Sequence, residues 1–177
     1  LLCYAQIEPV LDALPDLVFF VKDRDARYAL VNRTLATRCG CKEKSGIVGK
    51  TTEQVFPSRF GAAYLEQDQS ILNGGAQMID QLELHLYPGR QPGWCLTSKV
   101  PLRNGAGEIV GIAGASRDLK ANERTHPAYT KLAEVVQYIQ ENYVQPLNLT
   151  HLAKMAGMSV AQLERYFHKV FHLTPRQ

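Results

Sequence analysis

The chain has 177 residues, 20 basic against 17 acidic side chains, and 45% apolar residues. That length accommodates one or two domains with a real core, and a charged share of 21% beside an ordinary apolar share excludes wholesale disorder. The longest unbroken aliphatic and aromatic run, Leu17 to Val21, is far short of the roughly 20 residues that cross a bilayer, and the opening residues do not read as a signal peptide.

LVFFVK (17–22) reads as a strand, DRDAR (23–27) as a turn and YALVN (28–32) as a second strand. Asp23 and Asp25 flank that turn and are explained as turn residues rather than as a catalytic carboxylate pair. A helical pattern runs from Arg33 to Cys39. Cys39 and Cys41 form a C-x-C pair that could help to hold a soft metal, but no second Cys/His pair stands at zinc-ligand spacing. With Cys3 and Cys95 they are also too few for a disulfide scaffold. They read as reduced thiols of a cytoplasmic protein.

FGAAYLEQDQSILNGG (60–75) predicts a helix stopped by two glycines, which readily take the left-handed cap conformation. In QLELHLY, Leu82, Leu84 and Leu86 share one face of a period-2 strand, and His85 opposite them reads as a surface or interface residue. WCLTSKVPL, the tight turn RNGAGE and IVGIAGAS predict a strand, a hairpin and another strand. Two strands, small helices and three strands make an α+β unit with one antiparallel sheet and helices on a single face.

Charge marks a second unit. Residues 1–118 carry 13 basic and 13 acidic side chains, whereas residues 119–177 carry 7 and 4 and hold four of the five histidines. The polar stretch DLKANERTHPA (118–128) reads as a linker. The domains predicted are therefore 1–119, a linker over 120–128, and an all-helical unit over 129–177. Leu132, Val135, Val136, Ile139 and Tyr143 form one apolar stripe of a first helix that Pro146 ends. Asn148 can cap a short second helix. Gly157 permits a sharp turn, and Ser159 with Gln162 forms a capping box at the start of a third.

A short helix, a glycine turn and a capped helix make a helix-turn-helix. At about 100° per residue, Leu163, Phe167 and Val170 face the core, Ala161, Arg165 and His168 lie opposite, and Gln162, Glu164 and Lys169 flank that outer face. Such a face fits a major groove, where Arg bonds a guanine edge and Gln an adenine edge, while Lys169 and Arg176 suit phosphates. The same pattern also occurs in plain helical bundles, where a mixed-charge face is simply solvated. Glu164 weighs slightly against DNA, since phosphates repel a carboxylate that does not meet a cytosine amine.

The stretch NLTHLAKMAGMSVAQLERYFHKVFHLTPRQ resembles the first helix-turn-helix of AraC/XylS-type bacterial transcription regulators. Leu149, Leu152, Ala153, Ala156, Gly157, Met158, Ser159, Leu163, Arg165, Phe167, Lys169, Phe171, Thr174 and Pro175 carry the signature. The resemblance implies that the helix opening at Ser159 is the recognition helix, with Ala161, Gln162, Glu164 and Arg165 as base-contact positions. His168 and Lys169 complete the candidate DNA face. Family members carry two such motifs, and this sequence holds the first, so it reads as a piece of a longer regulator. The expectation is that these residues alone bind DNA weakly or not at all, because phosphate contacts dominate non-specific affinity.

The first unit resembles a PAS domain. The marks are DLVFFVKDRDARYALVN, IVGKTTEQVFP, the closing run from Trp94 to Leu119, and Arg117-Asp118-Leu119 as the short exit motif. The resemblance implies a fold that cradles a ligand between sheet and helices or packs as a dimer. Neither haem nor flavin is expected: the helix over 60–73 offers no axial histidine, and no flavin-photosensor motif is present. An unidentified small metabolite is the remaining ligand, with Phe20, Tyr28, Trp94 and Ser98 as candidate pocket residues and Arg38, Arg59 or Arg103 as partners for an acid. The expected protein is a cytoplasmic, non-enzymatic transcription regulator. Its expected partners are operator DNA, a second copy through the PAS unit and RNA polymerase, with no membrane. The alternative is a PAS protein-interaction module with no small-molecule ligand and no DNA binding.

Overall fold

The computed structural model of the chain describes residues 4–56, 58–85, 93–119, 127–142, 146–171 and 174–175. Contacts divide the chain into two compact units, Leu1–Gln81 with His85–Asp118, and Leu119–Gln177 with Leu82–Leu84.

The first unit opens with helix α1 (Tyr4–Asp12), followed by strands β1 (Leu17–Asp23) and β2 (Tyr28–Val31). Then come helices α2 (Arg33–Arg38), α3 (Thr52–Val55) and α4 (Ser58–Gly74), with a 3-10 turn at Lys44–Gly46 between α2 and α3. Strands β3 (Met78–His85), β4 (Gly93–Arg103) and β5 (Ile109–Asp118) complete one five-stranded sheet in the order β2-β1-β5-β4-β3. The β1–β2, β1–β5 and β4–β5 ladders are antiparallel, so the α+β architecture read from the pattern is the one found. Helix α1 was not anticipated, because Pro9 inside it masks the helical signal.

Local chemistry explains the joints. The Asp23 carboxylate accepts from the amides of Asp25 (3.0 Å) and Arg27 (2.9 Å), which closes the first turn as an Asx turn. Asn32 is fully buried. Its oxygen accepts from the Phe19 and Leu35 amides, and its amide group donates to the carbonyls of Leu11 and Leu17. One side chain thus caps α2 and pins it to β1. Helix α4 ends where expected: Gly75 adopts φ +69° and its amide donates to the Ile71 carbonyl at 2.8 Å.

Strand parity defines the interior. Val18, Phe20 and Lys22 alternate inward on β1, and Phe20, Gly114 and Lys99 lie in one row across β1, β5 and β4. Gly114 is required there, since a Cβ would stand 2.2 Å from the Phe20 ring. Val18, Phe20, Tyr28, Val31, Leu35, Ile47 and Ile112 join Phe56, Tyr64, Ile71 and Leu72 in one apolar core.

The second unit contains α5 (Pro127–Asn142), α6 (Leu149–Met155) and α7 (Val160–Phe171). Helix α5 starts at Pro127, inside the stretch read as linker; proline suits a first helical position because that amide lacks an intrahelical acceptor. The rest of that stretch, 120–126, lies outside the described residues. On α5, Leu132 and Val135 are buried and Val136 and Ile139 half-buried; Tyr143 lies outside the described residues. Leu152, Ala153, Leu163, Phe167, Val170 and Phe171 complete this small core, with the Phe167 and Phe171 rings 4.7 Å apart.

Candidate functional site

Each unit holds a candidate site among the described residues. In the first, a charged cluster sits among apolar side chains: Lys22 from β1, Lys99 from β4, Thr52 from α3 and Asp68 from α4 are all buried. The Asp68 carboxylate is shared. Lys22 donates to one oxygen, Lys99 to the other at 2.6 Å. Lys22 donates also to the Thr52 hydroxyl at 2.7 Å, and Lys99 to the Gln67 side-chain oxygen. The Lys22 ammonium lies 4.2 Å from the Tyr28 ring centre and 5.3 Å from that of Phe20, a cation–π arrangement. Those two rings meet edge to face at 5.7 Å.

Two ammoniums thus surround one carboxylate in a buried position. Burial pushes the Lys22 ammonium down to about 8; Asp68 opposes this and Lys99 adds to it. Burial works against the Asp68 carboxylate too, yet Lys99 and Lys22 more than offset it and hold the group below its ordinary range. The cluster therefore carries one positive charge in excess.

None of these residues was singled out from sequence, although a signal existed. Lys22 is in phase with Val18 and Phe20, Lys99 with Cys95 and Thr97, and Asp68 with Tyr64, Ile71 and Leu72. A charge in phase with an apolar face is the pattern that finds them.

The four residues proposed as pocket walls are not brought together. Phe20 and Tyr28 face the helices and pack in the core. Trp94 and Ser98 alternate onto the other face of the sheet, because Thr97 and Lys99 between and beside them take the inward positions. Ser98 instead accepts from the Asp80 amide at 3.0 Å. The arginines offered for an acid are engaged elsewhere. Arg38 makes a bidentate pair with Asp118, both bonds 2.6 Å, and Arg103 donates to Gly107 of the β4–β5 hairpin. The Arg59 side chain lies outside the described residues, as do the Leu84 side chain and Leu86. His85, read as a surface or interface residue, packs edge-on against Tyr64 of α4 at 5.7 Å. Burial, with Cys41 next, pushes the Cys39 thiol up to about 12, so it stays a protonated thiol of low reactivity.

In the second unit the turn and both caps form as the sequence predicts. Asn148 accepts from the amides of Thr150 (2.9 Å) and His151 (3.2 Å), and Gly157 takes φ +64°. Ser159 accepts from the Gln162 amide at 3.2 Å, while the Gln162 side-chain oxygen accepts from the Ser159 amide at 2.8 Å. Ala161, Gln162, Glu164, Arg165, His168 and Lys169 are exposed, while Leu163, Phe167 and Val170 are buried. The capping role occupies the Gln162 side-chain oxygen, whereas the Arg165 side chain is exposed. Beside this face runs an open groove of about 520 Å³ whose lining includes Thr150, Lys154, Met158, Ser159 and Gln162. Arg176 lies outside the described residues.

A five-stranded antiparallel sheet with small helices over one face, enclosing a polar cluster, defines a sensor-type α+β domain. The family model of the PAS fold matches residues 11–124, and the chain belongs to that family. A solved structure of VqmA bound to DPO is 22% identical, covers 94% of this chain and 78% of its own, and superposes with a TM-score of 0.58. A Vibrio cholerae VqmA dimer without its target DNA is 20% identical over 99% of this chain and 85% of its own, with a TM-score of 0.60. At such identities the likeness is one of fold. The methanogenesis regulatory histidine kinase FilI of Methanothrix harundinacea is 30% identical over 110 residues, 62% of this chain and 12% of its own length. The chain thus spans about an eighth of that relative. Among the described residues no helix is long and apolar enough to cross a membrane.

Proposed function

We propose that this is a cytoplasmic, non-enzymatic transcription regulator in which a PAS sensor is joined to an AraC-type DNA-reading helix pair. The observation that carries the reading is α7. Its apolar stripe is buried while Arg165, His168 and Lys169 stand exposed on a helix capped at both Ser159 and Gln162. A rigid, basic helix presented this way suits a major groove, with Arg165 reading a guanine edge and Lys169 holding phosphate. The signature residues from Leu149 to Pro175 support the AraC type. VqmA, which shares the fold, is described in complex with both a ligand and DNA, which supports pairing a sensor with a reading head; RNA polymerase is the downstream partner proposed.

The proposal includes pairing of two copies. Ile7, Val10 and Leu14 are 45%, 63% and 41% exposed and recur at helical spacing on and just beyond α1, an apolar stripe left uncovered among the described residues. A second copy is the occupant that fits, since the VqmA relative is a dimer and two-fold regulators match two-fold DNA sites. Fluorescence anisotropy with a labelled duplex tests the DNA reading. At physiological salt the chain should bind no tighter than a Kd on the order of 10⁻⁴ to 10⁻⁶ M, with affinity rising as salt is lowered, and Lys169→Ala should weaken binding to all duplexes alike. Binding that Arg165→Ala and Lys169→Ala leave unchanged overturns it.

A further inference from the structure

Glu83 and His85 stand two residues apart on β3 and so share one face of that strand, while Cys95 comes from β4, its neighbour in the sheet. A carboxylate oxygen, an imidazole nitrogen and the thiol sulfur of these three residues all lie within 4.8 Å of one another. Spacing along the chain does not show the group, because the pairing of β3 with β4 is what assembles it. An ion needs no cavity. Bonds of about 2.0–2.3 Å at tetrahedral angles set three ligand atoms roughly 3.3–3.6 Å apart, so small side-chain rotations close these atoms onto one metal. Glu83 and Cys95 are each 1% exposed, and Cys95 is in no disulfide. Tyr64 meets the His85 ring edge-on. The Cys95 sulfur lies 3.7 Å from the Thr97 hydroxyl, which donates to Ser116 at 3.0 Å. Contacts of this kind orient ligands from behind.

We propose that Glu83, His85 and Cys95 hold a zinc ion, with water in the fourth position. One sulfur beside an imidazole and a carboxylate suits zinc rather than magnesium or calcium, which take oxygen ligands. As the zinc–sulfur bond forms, the thiol proton leaves to solvent. The thiolate and the Glu83 carboxylate then cancel the charge of the ion, so no net charge is buried. The ion ties the edge strand β3 to β4. Cys95 pairs with Asp118, the last residue of β5, so the metal stands beside the point where the chain leaves the sheet.

Cobalt(II) is the spectroscopic probe and zinc(II) its competitor, added to the reduced, chelator-stripped 177-residue chain. Cobalt should bind at one ion per chain with a thiolate charge-transfer band in the near ultraviolet, and zinc should displace it. Zinc should also raise Tm by several degrees, reversibly with EDTA, and magnesium should not. Cys95→Ser should abolish the band. Changing Cys3→Ser, Cys39→Ser and Cys41→Ser together leaves Cys95 as the one cysteine of the chain, and the band should persist. Glu83→Gln and His85→Gln should each weaken cobalt binding at least about tenfold, since loss of a mere supporting contact costs that much. No charge-transfer band in the folded wild type overturns the proposal. So does a band that survives Cys95→Ser or is lost in the triple variant. Should Cys95→Ser fail to fold, the triple variant and His85→Gln decide the question between them. The anisotropy measurement judges the DNA reading independently of this result.

Discussion

Replacing Asp68 by asparagine isolates the energetics of the charged cluster. The variant keeps the size of the side chain and removes the one anion that Lys22 and Lys99 share, with Asp68 0% and Lys22 1% exposed. Removing one partner from a buried ion pair costs about 3–5 kcal/mol, because the remaining charge is stranded. For a domain of roughly 100 residues each kcal/mol moves Tm by at least about 4 °C, so a fall of about 12 °C or more is expected in a thermal melt followed by circular dichroism. The loss should also depend on pH. In the wild type Lys22 titrates near 8 when folded and near 10.5 when unfolded. Between those values the unfolded chain holds more protons, and the group favours folding increasingly as pH rises. Without Asp68 the folded ammonium loses its attraction and titrates lower still, so the deficit against wild type should shrink between pH 7 and 9.5. A loss under about 1 kcal/mol, or a deficit that widens with rising pH, refutes the reasoning.

Other consequences are more local. Asp68 itself titrates below the ordinary 3.8 when folded. Its stabilisation is complete above the unfolded value and should vanish as pH falls through the depressed one, seen as an acid limb in urea midpoints. Gly114→Ala places a Cβ against the Phe20 ring and should cost about 1–3 kcal/mol by overpacking, read from denaturant unfolding. Ser159→Ala breaks one half of the α7 capping box. It should cost about 0.5–2 kcal/mol and speed amide exchange in the first turn of α7. Cys39, with its thiol pushed up to about 12, should resist iodoacetamide at pH 8 in the folded protein, as peptide mass mapping would show.

How much of this was legible in the sequence varies with the physics of each element. The C-terminal unit was almost fully readable. Its chemistry is local: Asn148, Gly157, Ser159 and Gln162 act within four residues of the groups they satisfy, and the spacing of Leu163, Phe167 and Val170 fixes which face is outward. The order of strands and helices in the first unit was readable for the same reason. The site inside it was not. Lys22 meets Asp68 across 46 positions and Lys99 meets it across 31, separations that periodicity cannot bridge, and Trp94 with Ser98, which shares its strand face, lies on the opposite side of the sheet. Strand parity alone would have separated those two from the inward-facing Thr97 and Lys99. Arg38 shows the converse: an arginine suited to a ligand acid is occupied by Asp118, 80 positions away.

The most direct test of the regulator reading is an NMR titration of the isotope-labelled chain with a short duplex at low salt, which registers weak binding residue by residue. Shifts should concentrate on the exposed face of α7, at Ala161, Gln162, Glu164, Arg165, His168 and Lys169, with the Arg165 side chain responding to duplex sequence. Shifts that leave this face of α7 silent while other surfaces respond would contradict a DNA-reading role for this helix.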